Sequence, residues 1–93
     1  MFVLRSGAKG YTTNMFYTYI LFSKKLSVYY AGSTADLKIR LYQHNSNQVT
    51  STTAGVPWRL VWYCSFISKQ KALKFEKYLK SGSGFAFRNN HLI

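Results

Sequence analysis

The chain has 93 residues, 47% hydrophobic and 18% aromatic, enough for one core and too few for two. Thirteen Lys and Arg stand against two acids, a formal net charge of +11, and such a surplus attracts polyanions. Asp36 and Glu76 are the only carboxylates, so paired-carboxylate glycoside chemistry and a two-metal site walled by several acids are excluded.

Residues 1–14 contain Gly7, Gly10, Thr12, Thr13 and Asn14 without sustained periodicity. They read as an irregular tail, with Phe2 to Leu4 resting on the body. The domain proper is expected over residues 15–93. Phe16 to Phe22 is aromatic and branched, and Ser27 to Gly32 repeats that character after the polar Ser23, Lys24 and Lys25; a hairpin follows. Alternation puts Tyr17, Tyr19 and Leu21 on one face of the first strand, and Val28 and Tyr30 on one face of the second.

Ser33, Thr34 and Asp36 carry helix-start chemistry, which predicts a helix to about Asn45, with Asn47 as its stop. Leu37 and Leu41 form its apolar stripe, and Arg40 and His44 fall on the same face. Ser46 to Pro57 is polar and predicts a long loop with a short helical turn. Trp58 to Ile67 is apolar almost throughout, the signature of a central strand covered on both faces. Ser68 caps a second helix to about Lys80, with Ala72, Phe75, Glu76 and Leu79 on one face. Gly82 and Gly84 are expected to end it, and Phe85 to Ile93 to form a last short helix. The order β-β-α-β-α predicts an α+β domain, a small sheet flanked by helices.

Cys64 is the single cysteine, which allows no internal disulfide and no multi-Cys zinc site. Its apolar surroundings read as those of a small buried hydrophobe. No apolar stretch nears the ~18 residues of a membrane span, and no signal-peptide core is present. A soluble cytoplasmic protein is expected.

Three polar groups sit where apolar ones belong. Glu76 lies toward apolar neighbours on an otherwise Lys-studded helix, which is costly unless it is paired or binds a cation. It reads either as a salt bridge to Arg40 or Arg59, or as a ligand for a hard divalent ion. Arg40 and His44 read either as a snorkelling cation and a satisfied core histidine, or as a phosphate-stabilising cation beside a titratable imidazole. Most of the eight tyrosines suit half-buried sheet faces. Ser81-Gly82-Ser83-Gly84 reads as a helix end and turn, or as a phosphate cradle.

Four blocks in order carry a resemblance: YTYIL at 17–21, YYAGSTADLKIRLYQHN at 29–45, PWRLV at 57–61 and EKYLK at 76–80. They are similar to the GIY-YIG nuclease superfamily, in particular its small single-domain bacterial branch related to the N-terminal nuclease domain of the excision-repair C subunit. Tyr17 and Thr18 replace the Gly and Ile of the first signature, and Ala31 stands where Ile or Val is common. The resemblance implies a three-stranded antiparallel sheet with helices around it. It implies a metal-dependent endonuclease that hydrolyses phosphodiester bonds in DNA, in repair or recombination, with one Mg²⁺ or Mn²⁺. Position by position it implies catalytic roles for Tyr19, Tyr30, Arg40 and His44, with Glu76 holding the metal. Lys38, Arg59, Lys74, Lys77, Lys80 and Arg88 are candidate nucleic-acid contacts. No second DNA-binding domain fits in this length, so a partner protein is compatible with the reading. The alternatives are a catalytically weak DNA- or RNA-binding module of the same fold and a basic RNA-associated protein.

Overall fold

The aromatic and branched residues that favour strands form β1 (Phe16–Ser23) and β2 (Val28–Thr34), an antiparallel hairpin in unbroken register from Tyr17↔Thr34 to Ser23↔Val28. The turn between them is tied by the Leu26 N–H, which donates to Ser23 Oγ at 3.1 Å. It closes with Ser27 in the left-handed region, at φ 57°. The computed structural model describes residues 15–93; the expected tail of residues 1–14 and the seat of Phe2 to Leu4 lie outside them.

β3 (Trp58–Phe66) pairs antiparallel with the other side of β1, giving the strand order β2-β1-β3. The expected three-stranded antiparallel sheet is present, but its centre is β1. This corrects the expectation of a central strand at 58–67. β1 is the strand packed from both sides, with Thr18, Tyr19, Ile20 and Leu21 each 2% exposed or less. β3 is apolar for a different reason. Its register shifts between Ile20↔Trp62 and Leu21↔Leu60, so Val61 is an extra residue. Such a bulge breaks strict alternation. Trp58 and Leu60 therefore join one core cluster, while Val61 and Trp62 join the other.

Helices cover both faces. α1 (Leu37–Asn45) starts at Asp36, whose side chain accepts from Ile39 N at 3.0 Å. Asn47, at φ 63°, takes the left-handed conformation that follows a helix end. Leu37 and Leu41 pack on Tyr19, Leu21 and Trp58. A 3-10 helix, Thr50–Gly55, fills the long loop before β3. On the opposite face α2 (Lys69–Leu79), capped by Ser68, lays Leu79 and Phe75 against Ile20 and Ala31. The Thr18 hydroxyl donates to Ala72 O at 2.8 Å across this layer. Cys64 is half-buried, and burial pushes its thiol pKa up, so it is held protonated.

α3 (Gly82–His91) begins where α2 stops, capped by Ser81, whose side chain accepts from Gly84 N. Gly82 and Gly84 thus open a helix instead of ending one. A Cβ at Gly84 would overlap the Tyr78 carbonyl, so this glycine is what lets the two helices abut.

Candidate active site

The α1-facing side of the sheet carries a chain of buried polar contacts. Tyr19 is 2% exposed, and its hydroxyl stands 2.9 Å from His44 Nε2. His44 is completely buried, and its Nδ1 stands 2.8 Å from Thr52 Oγ1. Tyr30 meets the same imidazole edge-on, ring centroids 5.3 Å apart. His44 is thus a satisfied core histidine and a neighbour of both tyrosines. Burial first, and the Arg40 guanidinium second, push its pKa down, which keeps the ring neutral. Tyr19 is pushed well above the usual phenol range, by burial first and then by Tyr30; Arg40 pulls it down and Glu76 pushes it up.

The close fit of Tyr19 depends on Gly32. A side chain on Gly32 would run into the Tyr19 ring and hydroxyl. The small residue that ends the second signature is therefore required by the phenol that ends the first, since β1 and β2 pair Tyr19 with Gly32.

Arg40 is half-buried beside Tyr19, Leu37 and Leu41. Its Nε is buried and has no hydrogen-bond acceptor among the described residues. A buried guanidinium donor left without a partner is uncommon and calls for an explanation. Arg40 also lines a groove of about 410 Å³ between α1 and α2, with Ile39 on its own helix, Ser33 and Phe16 from the sheet, and Lys69 and Leu73 opposite.

Glu76 comes from α2, in the other layer. Its Oε1 accepts from the Ser33 hydroxyl at 2.7 Å and its Oε2 from Lys80 Nζ at 2.9 Å. Neither Arg40 nor Arg59 pairs with it; the ion pair is with Lys80, one turn on. Lys80 Nζ also lies 5.2 Å from the Tyr30 ring centroid. Tyr30 and Ser33 are three residues apart on β2, so the pleat sends them to opposite faces. Glu76 and Lys80 therefore reach the tyrosines around the edge of β2 and not over one sheet face. No cluster of three His, Cys, Asp or Glu side chains exists among the described residues. Glu76 is a lone carboxylate linked to Tyr30 through Lys80, which fits a single hard cation that keeps its waters and takes other oxygens from phosphate.

The remaining cations divide. Lys38, Arg59, Lys74, Lys77 and Lys80 are exposed. Arg59 lies over Phe22, at 5.9 Å. Arg88 is only 9% exposed, stacked over Phe85 at 4.4 Å and Tyr29 at 5.0 Å, and hydrogen-bonded to Asn89. Two aromatic faces hold its charge in place, so of the six candidate nucleic-acid contacts it is the buried one. Ser33, Thr52 and Lys69 also line or support this region; Ser33, expected among the residues that start α1, instead donates to Glu76 while Asp36 caps the helix. Ser33 directly follows Tyr30-Ala31-Gly32, a signal in itself; Thr52 sits in a Thr-rich loop where nothing sets it apart.

A family model described as the GIY-YIG catalytic domain matches residues 15–90. The UPF0213 protein BH0048 from Bacillus halodurans, solved in solution by NMR, is similar at 32% identity and a TM-score of 0.51, over 82% of this chain and 83% of that one. No curated protein matches. A half-buried arginine, two tyrosines and a lone glutamate thus occur on the nuclease-type fold that the matched domain describes, and the chain belongs to the GIY-YIG family.

Proposed function

We propose that this chain is a metal-dependent endonuclease that hydrolyses phosphodiester bonds in DNA, in repair or recombination. One juxtaposition carries the reading: Arg40, half-buried and with no acceptor for its Nε among the described residues, lines a groove that also holds Ser33, the donor to Glu76. A phosphate oxygen in that groove accepts from the guanidinium, and the Lys69 ammonium adds charge at the same groove. The overall charge of +11 draws the polyanion to it.

Roles follow from burial. Tyr19 is enclosed and its hydroxyl is engaged with His44. Tyr30 is only partly buried and is the phenol that orients the attacking water. Arg40 donates to the phosphate oxygens as charge gathers on them, which is the interaction that lowers such a barrier most. Glu76, oriented by Ser33, would hold one Mg²⁺ or Mn²⁺. That ion, when bound, polarises the phosphate and stabilises the leaving 3′ oxygen. The attacking water forms the new P–O bond, the P–O3′ bond breaks, and the proton lost from water passes to solvent along the Tyr30 side. Lys38, Lys74, Lys77 and Lys80 grip flanking phosphates.

The test is cleavage of branched, nicked and single-stranded DNA with Mn²⁺ or Mg²⁺, beside the Glu76→Ala protein. Cleavage that the substitution abolishes while DNA binding persists is the expected outcome. Binding without cleavage by the unaltered protein overturns the enzyme reading in favour of a DNA- or RNA-binding module, and the two affinities then say which.

A further inference from the structure

Thr52 belongs to the 3-10 helix, outside every motif considered so far. It is 2% exposed. Its hydroxyl has one proton and two acceptor positions. Val49 O, 3.2 Å away, is its backbone acceptor; with the proton there, His44 Nδ1, at 2.8 Å, faces a lone pair of Thr52 Oγ1. In this arrangement Nδ1 carries the ring hydrogen. A neutral imidazole has only one N–H, so Nε2 is bare, and the 2.9 Å contact with Tyr19 is made by the phenol's own proton.

The consequence lies at the Tyr19 oxygen. Having given its hydrogen to His44, it offers only lone pairs to any third partner. With the other tautomer, Nε2–H would donate to Tyr19 and the phenol hydrogen would be turned into the site. One tautomer leaves Tyr19 an acceptor toward any third partner; the other leaves it a donor.

We propose that Thr52 is a positioning residue that selects the Nδ1–H tautomer of His44 and so fixes Tyr19 as the donor in the Tyr19–His44 hydrogen bond, beside the Tyr30 that orients the water. Thr52 is itself held from two sides. The Trp58 indole N–H donates to Thr52 O at 2.7 Å. The Trp58 backbone, in turn, is clamped by Asn45, which accepts from Trp58 N at 2.6 Å and donates to Trp58 O at 2.9 Å. Asn45 is the residue after His44, so the imidazole and the hydroxyl that orients it share one frame. The tautomer selection stands on this geometry alone; its effect on rate rests on the nuclease reading.

The experiment is a long-range ¹H–¹⁵N spectrum of the whole labelled protein at pH 7.5, without DNA or metal, with His44→Gln to tell His44 from His91. The expected result is a protonated Nδ1 and a bare Nε2 on His44. Thr52→Val, which keeps the shape and loses the hydroxyl, should move His44 toward Nε2–H and slow cleavage about 10- to 100-fold, the usual cost of losing an orienting partner. Its KM should hold, and Thr52→Ser should restore both tautomer and rate. A wild-type spectrum with Nε2–H overturns the proposal even if Thr52→Val does not fold. So does a folded Thr52→Val protein with an unchanged tautomer. A protein with the expected tautomer that cleaves no DNA overturns the nuclease reading while supporting the tautomer selection.

Discussion

Both acids of the chain are committed to hydrogen bonds, Asp36 at the start of α1 and Glu76 to Ser33 and Lys80. Lys80 occupies an oxygen that a divalent ion would take. Lys80→Ala should therefore raise Mn²⁺ affinity, measured on the protein with the metal alone, by about two- to fivefold, the range of a half-exposed pair. DNA affinity should fall in the same variant, because a cation is lost. A metal affinity that stays level or drops would show that Lys80 does not compete. His44 gives a second residue-level expectation. Its folded pKa lies below the ordinary value near 6.5, so below that pH the unfolded chain binds a proton that the folded one refuses. Its contribution to stability is complete above pH ~6.5 and is lost as the pH falls below that value, at up to about 1.4 kcal/mol per pH unit. Tyr19, Tyr30 and Arg40 face His44, and His44→Gln should flatten this slope in denaturant titrations between pH 5 and 8. Glu76, Arg40 and His44 were legible in the sequence because a polar group on an apolar helix stripe is conspicuous. Ser33 and Thr52 were not, because hydroxyls are ordinary at strand ends and in polar loops. The burial of Arg88 was not legible, because helical spacing carries no record of aromatic faces brought in from Phe85 and from Tyr29 on β2.

At the level of elements, the junction of α2 and α3 gives a paired expectation. Gly84 touches the α2 backbone closely, whereas a Cβ at Gly82 meets nothing within 4 Å. Gly84→Ala should lower stability by about 1–3 kcal/mol through overpacking. Gly82→Ala should leave it unchanged or raise it by up to about 1 kcal/mol. Thermal melts of the two variants decide the matter, and equal effects would deny the close contact. The caps at Asp36 and Ser68 and the stop near Asn47 were readable because a short polar side chain before an apolar period has a specific bonding use. Two readings went wrong for physical reasons. An unbroken apolar run reports cover on both faces and says nothing about how many strands lie alongside, so β3 passed for the centre that β1 occupies. Glycine after a helix marks a common end, yet here Gly84 answers a steric demand made by Tyr78, a neighbour in space that spacing alone does not reveal.

For the molecule as a whole, charge is the dominant property. The Lys80–Glu76 pair is the one ion pair among the described residues, so the exposed cations stay open to phosphate. If Lys38, Arg59, Lys74, Lys77 and Lys80 each neutralise one phosphate, the logarithm of duplex DNA affinity should fall against the logarithm of salt with a slope of about −4.5. Replacing any one of them by Gln should make the slope shallower by about 0.9, whereas Arg88→Gln should leave it alone and lower stability instead. A slope near zero would remove charge as the source of affinity. The family was legible from four short blocks whose order and spacing survive on this fold; the wrapping of the site around a strand edge was not, because a motif records which residues meet and not from which layer they come. That wrapping makes the hairpin's phase decisive. Tyr30 and Ser33 reach their separate partners only because the strand between them is aligned as Leu21↔Tyr30 and Ser23↔Val28 require. A slip by a single residue would exchange inside for outside along the whole of β2, turning the phenol toward the carboxylate's layer and the serine toward the imidazole. The tight bend at Lys24 to Ser27, at the far end of the hairpin, is thus the timing mark by which the two halves of the candidate site are brought into step.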